Sequence, residues 1–127
     1  MKDAPKAQHQ SSSSERIKAE VRLRVLRALE GNPELTQRQL AAELGMSLGG
    51  VNYAVKALVE RGYVKVKNFS RSDSKISYLY LLTPSGFAEK AAVAAALLSR
   101  KLEEYEVLIG EIDDLRGEVQ LSERAEL

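Results

Sequence analysis

Residues 36–62, with the sequence TQRQLAAELGMSLGGVNYAVKALVERG, decide the fold of this chain. Thr36 and Gln39 have the spacing of a capping box, in which each side chain accepts a hydrogen bond from the other residue's backbone at the start of a helix. Gly45 is expected to end that short helix, and Ser47 is placed to cap a second one. Two helices joined by a short turn that contains glycine are typical of a helix-turn-helix.

The second of these helices is predicted to have a core face and an outward face. The core face is apolar at helical spacing and consists of Val51, Val55 and Leu58. The outward face then consists of Ser47, Leu48, Gly49, Asn52, Tyr53 and Lys56. In a helix-turn-helix the outward N-terminal part of the second helix enters the major groove of DNA, where an Asn pairs best with adenine. Gln37 and Arg38, at the start of the preceding helix, are expected to lie against the DNA backbone, because helix N-termini favour phosphate.

A β-hairpin is predicted directly after the two helices. Residues 63–67 alternate apolar and polar side chains, and residues 76–82 are rich in strand-forming residues. The order of a helix-turn-helix and a hairpin is that of a winged helix. At the tip of this wing, contacts to phosphates or the minor groove are expected from Arg71, Ser72 and Lys75. For Lys65 and Lys67 two interpretations stay open: DNA contact, or lysines that keep a strand soluble.

Two long helices are expected to frame this core. Residues 1–14 are polar and are predicted to be a disordered tail. A helix is predicted from about residue 15 to residue 30, with Ser12 and Glu15 in capping-box spacing and an apolar side chain at every fourth position. Residues 31–33, Gly-Asn-Pro, would stop it.

The last helix is predicted to begin at Thr83 and Pro84 and to pair with a second copy of the chain. Its apolar residues recur every three or four positions, as heptad a and d residues do. The predicted dimer interface comprises Leu98, Leu102, Tyr105, Ile109 and Ile112. Arg116 interrupts this pattern, and fraying is expected after about residue 118. The predicted fold is therefore mainly α with a minor β part, in the order α-α-α-β-β-α. Its domains are a winged helix over residues 15–82 and a coiled-coil-like helix over residues 83–127.

The composition excludes several classes of function. The chain of 127 residues has no Cys, and its one His, His9, lies in the polar tail. This argues against disulfides, thiolate metal sites, Cys nucleophiles and Ser-His-Asp triads. We therefore expect no enzymatic activity, no metal and no cofactor. No apolar run is long enough to cross a membrane, and a cytoplasmic location is expected.

The charge is unevenly distributed along the chain. Residues 1–82 hold 14 Lys and Arg against 8 Asp and Glu, whereas residues 83–127 hold 5 against 10. A basic front half favours contact with a polyanion such as DNA.

Several stretches of the sequence resemble the MarR family of bacterial regulators. They are ERGYV at residues 60–64 and LTPSG at residues 82–86. More narrowly, the chain is similar to the MarR-like regulators associated with exopolysaccharide biosynthesis genes. This likeness lies in SLGGVNY at residues 47–53, KNF at 67–69, YLYLLTP at 78–84, and RK at 100–101 ahead of EY at 104–105.

The resemblance implies a homodimeric winged helix that binds double-stranded promoter DNA. It leaves open the operator, the sign of regulation and whether a small-molecule effector exists. Because little helix is predicted before residue 15, dimerisation is expected to rest on the last helix. The alternative is a winged-helix module that assembles with another protein and has no DNA site of its own.

Overall fold

The element order of the structure is that of the predicted winged helix. The computed structural model describes the backbone of residues 4–71 and 75–126, and the side chains of residues 15, 17–68 and 77–126. Four helices and two strands follow one another as α1 (Ala4–Gly31), α2 (Gln37–Leu44), α3 (Leu48–Glu60), β1 (Val64–Arg71), β2 (Lys75–Leu82) and α4 (Pro84–Glu126). The chain forms two compact units, Met1–Ala94 and Ala95–Leu127.

Side-chain caps start α2 and α3, and a glycine ends α2, as the sequence predicted. Thr36 Oγ1 accepts a hydrogen bond from Gln39 N at 3.1 Å, and Gln39 Oε1 accepts one from Thr36 N at 2.9 Å. Gly45 ends α2 with φ 65°, a left-handed conformation that glycine adopts without strain. Ser47 Oγ then accepts a hydrogen bond from Gly50 N at 3.0 Å and starts α3.

The hydrophobic core of the first unit lies where α1, α2, α3 and β1 meet. Its fully buried side chains come from three helices and are Val25, Leu26, Leu29, Leu40 and Val51. Ala41, Val55, Leu58 and Val64 complete the buried cluster. Full burial of each Leu or Val contributes about 1.5–3 kcal/mol to stability. This core fixes the position of α3 by its apolar face alone.

The hairpin is antiparallel and is joined to the helical core at its base. Val64 pairs with Leu82, and Val66 pairs with Tyr80. These four side chains share one face of the hairpin because side chains alternate along a strand. The backbone N–H of Tyr80 also donates to Pro33 O at 3.0 Å, which attaches β2 to the loop between α1 and α2.

A tight corner connects the end of α3 to the start of α4. The Thr83 hydroxyl donates to Gly62 O at 2.6 Å and accepts from Gly86 N at 3.0 Å, so one side chain caps α4 and holds the preceding turn. The predicted start of the last helix at Thr83 and Pro84 is confirmed.

Two predicted helix boundaries are wrong. The structure begins α1 at Ala4, so residues 4–14 are helical and Ser12 and Glu15 lie inside a helix instead of starting one. Pro5 is tolerated because it lies in the first turn, and no breaker follows until Gly31. The structure also continues α4 to Glu126, past the expected fraying point. A single glycine costs a helix only about 1 kcal/mol, and the residues after Gly117 favour helix.

None of the helices in the described part of the chain has the length and apolar character needed to span a membrane.

Candidate nucleic-acid interface

The outward face of α3 is a continuous exposed surface. The predicted contact residues Ser47, Leu48, Gly49, Asn52, Tyr53 and Lys56 are all exposed. Tyr53 is 76% exposed, whereas Val51, two residues earlier and on the other face, is fully buried. The split between core and outward faces therefore follows the prediction. This face, named here the α3 surface, offers an amide, a phenol, a hydroxyl and an ammonium group to a partner.

Two adjacent glycines, Gly49 and Gly50, lie in the first turn of α3. A Cβ built on Gly49 would meet nothing within 4 Å, so the fold gives no steric reason for glycine at this position. A Cβ on Gly50 would lie 3.1 Å from Ser47 Oγ and 3.5 Å from Met46 Cε, so Gly50 has a local packing reason. The two glycines, adjacent in sequence, thus have different explanations.

The two residues predicted at the start of α2 differ in their surroundings. Arg38 is exposed, as a phosphate contact requires. Gln37 is half-buried, and its Nε2 donates to Tyr80 Oη at 3.3 Å. Its side chain therefore links the helix-turn-helix to the wing, a role that the sequence did not reveal.

The wing carries basic residues along β1. Lys65 and Lys67 are exposed and lie on one face of the hairpin because they alternate along the strand. Arg71 pairs with Lys75 at the far end of the hairpin, next to its tip. Their side chains lie outside the described residues, and so does Ser72 as a whole.

Basic residues of α1 have structural partners. Arg24 Nη2 donates to Leu44 O at 2.6 Å and so satisfies a carbonyl at the C-terminus of α2. Arg22 Nε lies 3.0 Å from Glu89 Oε2, and Lys90 forms an ion pair with Glu30. Both ion pairs join α1 to the first part of α4. Long-range partners of this kind have no local signature in the sequence.

A groove between α1 and α3 has a cavity volume of about 290 Å³. Apolar side chains such as Val21 and Ala54 line it, and Lys18, Arg22 and Arg61 stand around it. Tyr53, which belongs to the α3 surface, is also one of the residues that line this groove.

The second compact unit, Ala95–Leu127, consists of the remainder of α4 and has an exposed apolar stripe. All five residues of the predicted dimer interface, Leu98, Leu102, Tyr105, Ile109 and Ile112, are exposed in the single chain. Leu102 is 54% exposed and Ile109 is 41% exposed. Exposed apolar stripes are uncommon on soluble monomers.

Within the described residues, no group of three or more His, Asp or Glu is arranged to hold a metal ion. The chemistry on the α3 surface is that of hydrogen bonding and charge.

Comparisons with known proteins agree with the architecture. Residues 19–65 match the family described as "Winged helix-turn-helix DNA-binding". No curated protein matches the sequence. Among solved structures, a MarR/EmrR family transcriptional regulator from Acinetobacter sp. ADP1 is 18% identical, over 94% of this chain and 96% of that chain, with a TM-score of 0.53. A MarR family transcriptional regulator from Silicibacter pomeroyi DSS is 23% identical, over 86% of this chain and 83% of that chain, with a TM-score of 0.52.

A looser likeness joins the chain to Staphylococcus aureus MarR in complex with salicylate and kanamycin. The two are 21% identical with a TM-score of 0.48, and this chain covers 55% of that chain. The two MarR family neighbours with TM-scores of 0.53 and 0.52 share the fold of this chain.

Proposed function

We propose that the protein is a MarR-like transcriptional regulator that binds double-stranded promoter DNA through α3 and acts as a homodimer in the cytoplasm. The observation that carries the proposal is the α3 surface. Its polar residues are exposed, its scaffold is buried on the opposite side, and the surrounding residues match a family of DNA-binding winged helices.

The proposed contacts divide into two groups by chemistry. Asn52 offers both an acceptor and a donor, so it can read an adenine edge, and Leu48 can contact a thymine methyl group. Phosphate contacts are assigned to Arg38 and Lys56, and at the wing to Arg71, Ser72 and Lys75. Phosphate contacts give affinity without sequence preference, whereas base contacts give specificity.

Dimerisation is the second part of the proposal. The exposed stripe of the second unit supports it, because burial of one Leu or Ile side chain contributes about 1.5–3 kcal/mol. Four such residues, together with Tyr105, can offset an association cost of at least about 4 kcal/mol. A symmetric dimer reads two half-sites, which for major-groove readers lie about one turn of DNA apart, roughly 34 Å.

The proposed target genes are those of exopolysaccharide biosynthesis. The support is the similarity of SLGGVNY at residues 47–53 and of the stretches around it to regulators associated with those genes.

Selection of bound sequences from random double-stranded DNA tests the DNA-binding part. We expect enrichment of a motif with two related halves, and binding that weakens steeply as salt rises because phosphate contacts release counterions. Recovery of no motif, together with no salt-dependent binding, would instead support the protein-assembly alternative.

Sedimentation tests the dimer. We expect a dimer at micromolar concentration, and a monomer with most of its operator affinity lost for Leu102→Asp combined with Ile109→Asp. Val107→Asp is a matched control, because Val107 is also exposed on this segment but lies off the stripe. A wild-type monomer, or unchanged operator affinity of the double variant, contradicts the dimer.

A further inference from the structure

The apolar stripe of the second unit follows a regular heptad pattern with one charged member. Its positions, named here the seam, are Leu98, Leu102, Tyr105, Ile109, Ile112, Arg116 and Val119, separated by alternating steps of four and three residues. With Leu102, Ile109 and Arg116 as a positions, the remaining four are d positions. The seam is exposed along its apolar length in the single chain. Arg116 is the charged residue of the seam, so a stable pairing has to place it beside an aromatic or acidic group of the partner.

A parallel pairing in register places Arg116 in an unfavourable environment. In that arrangement identical residues meet, so Arg116 faces the partner's Arg116 inside the seam, and the two like charges repel. Leu108 and Leu115, at g positions beside the seam, would face the partner's e positions, which include the acidic Asp113. The one favourable edge pair is Lys101 with the partner's Glu106. A parallel pair therefore has one favourable charge pair at its edge. Its central Arg116 faces a like charge, and its two g leucines face polar positions.

An antiparallel pairing about a two-fold axis between Gly110 and Glu111 gives the seam residues favourable neighbours. Leu102 then faces the partner's Val119, and Ile109 faces the partner's Ile112. Tyr105 faces the partner's Arg116. Every a position meets a d position, and the six central seam residues pair only with one another. The set is self-complementary, as a two-fold interface requires.

The edges of this pairing agree with its centre. Leu108 comes beside the partner's Leu115, so both g leucines are covered. On the other edge Glu106 approaches the partner's Asp113, which is unfavourable, but Arg116 lies next to the partner's Glu106 at the same level. The long Arg side chain can place its stem over the Tyr ring and its charged end at this acidic edge.

A shift by one heptad toward the N-terminal end of the seam removes these advantages. Leu102 would then face the partner's Ile112, and Arg116 would face the partner's Leu98. The partner's Arg100 and Lys101 lie next to that position, so a cation would be brought against two others.

We propose that two copies of this chain pair their α4 segments antiparallel about the point between Gly110 and Glu111, with Arg116 of each copy packed on the partner's Tyr105. This inference rests on the dimer of the proposed function and adds its direction and register. The function of Arg116 is then to select one register, a known use of a single polar residue in a heptad seam.

Disulfide mapping tests the register directly, because the chain has no cysteine of its own. In the full-length protein, Leu102→Cys combined with Val119→Cys, which keeps Tyr105 and Arg116 in place, is expected to give a covalent dimer on mild oxidation, seen by non-reducing electrophoresis. Each single variant is expected to give almost none. The distance between position 102 in the two copies would be about 25 Å along the axis for a separation of about seventeen residues, well beyond the reach of a disulfide, which needs Cα atoms within about 7 Å.

Each other pattern overturns the inference in a recognisable way. Efficient dimers from either single variant indicate a parallel pair, and dimers from Leu102→Cys combined with Ile112→Cys indicate the shifted register. In both cases sedimentation still shows a dimer, so the proposed function survives. A monomer in sedimentation removes the dimer and this inference together.

A second measurement leaves the seam intact. A spin label on Glu103→Cys, at an exposed b position outside the seam, reports the distance between copies. The antiparallel register predicts an axial offset of about 22 Å for fifteen residues, added to the lateral spacing. A distance that reflects lateral spacing alone contradicts it.

Discussion

Gly86 packs directly against the backbone carbonyl of Tyr63. A Cβ built at position 86 would lie 2.0 Å from Tyr63 O, closer than any real contact, and a backbone atom cannot move aside cheaply. The same carbonyl accepts a hydrogen bond from Thr83 N at 3.1 Å, so the start of α4 and the end of α3 are fastened at one point. Glycine at position 86 is therefore a requirement of the fold.

Gly86→Ala is expected to lower the free energy of unfolding by about 1–3 kcal/mol, the range for an overpacked core site. Urea denaturation measures this change. Gly110→Ala is the control, because a Cβ there meets nothing within 4 Å and alanine favours helix by about 1 kcal/mol over glycine. Equal stability of the Gly86→Ala variant and the wild type would show that the corner is looser than described.

Asn52→Ala is expected to cost about 1–3 kcal/mol of binding free energy at one base pair of the operator and to flatten discrimination there. The fold should not change, because Asn52 is exposed. Competition binding against single-base operator variants measures the effect. Gln120→Ala, an exposed amide on α4, serves as the control. A variant with wild-type discrimination at every position would remove Asn52 from the base contacts.

Gly49→Ala is expected to change stability and DNA binding in opposite directions. The added methyl group has free space and improves helix propensity, so the unfolding free energy should rise by about 0.5–1 kcal/mol. The same methyl group would stand between the helix start and DNA and should weaken operator binding. Paired denaturation and binding measurements on one preparation test both signs. Affinity that rises along with stability contradicts a close approach at Gly49.

Tyr80→Phe removes the acceptor for Gln37 Nε2 and is expected to lower stability by about 0.5–1.5 kcal/mol. Tyr78→Phe is the matched control, since Tyr78 lies two residues earlier on the same strand and is 51% exposed. Thermal unfolding distinguishes the two variants. A loss of the same size in both would indicate that the phenol at position 80 has no special partner.

Arg71→Ala is expected to weaken binding to many DNA sequences alike and to lower the salt slope by about one unit, as the loss of one phosphate contact does. Arg124→Ala makes the same change of charge near the end of α4 and should leave the slope unchanged. The slope is obtained from affinities over a series of salt concentrations. An unaltered slope for Arg71→Ala would exclude the wing tip from the interface.

Local patterns predicted much of this fold because its signals are short-range. The capping box at Thr36 and Gln39, the left-handed Gly45 and the N-cap at Ser47 each depend on residues within a few positions. The exposed and buried sides of α3 followed from helical spacing alone.

Contacts between distant parts of the sequence were not predictable in this way. Arg24 was one of several basic residues on α1, and nothing near it in the sequence indicates that it binds Leu44 O, twenty residues away. Gln37 was assigned to DNA, although its side chain contacts the wing. The start of α1 was also predicted incorrectly. Ser12 and Glu15 have capping-box spacing, but no helix breaker precedes them to make the helix begin there.

The two sides of α3 have separate structural roles, and this separation has an evolutionary consequence. Val51, Val55 and Leu58 hold the helix in the core, whereas the residues of the α3 surface are exposed and, apart from the Ser47 cap, are not needed by the scaffold. Substitutions at Leu48, Asn52 and Lys56 remove no side chain of the buried core. A duplicated copy of the gene could therefore change its exposed helix face by a few substitutions, with its architecture inherited intact.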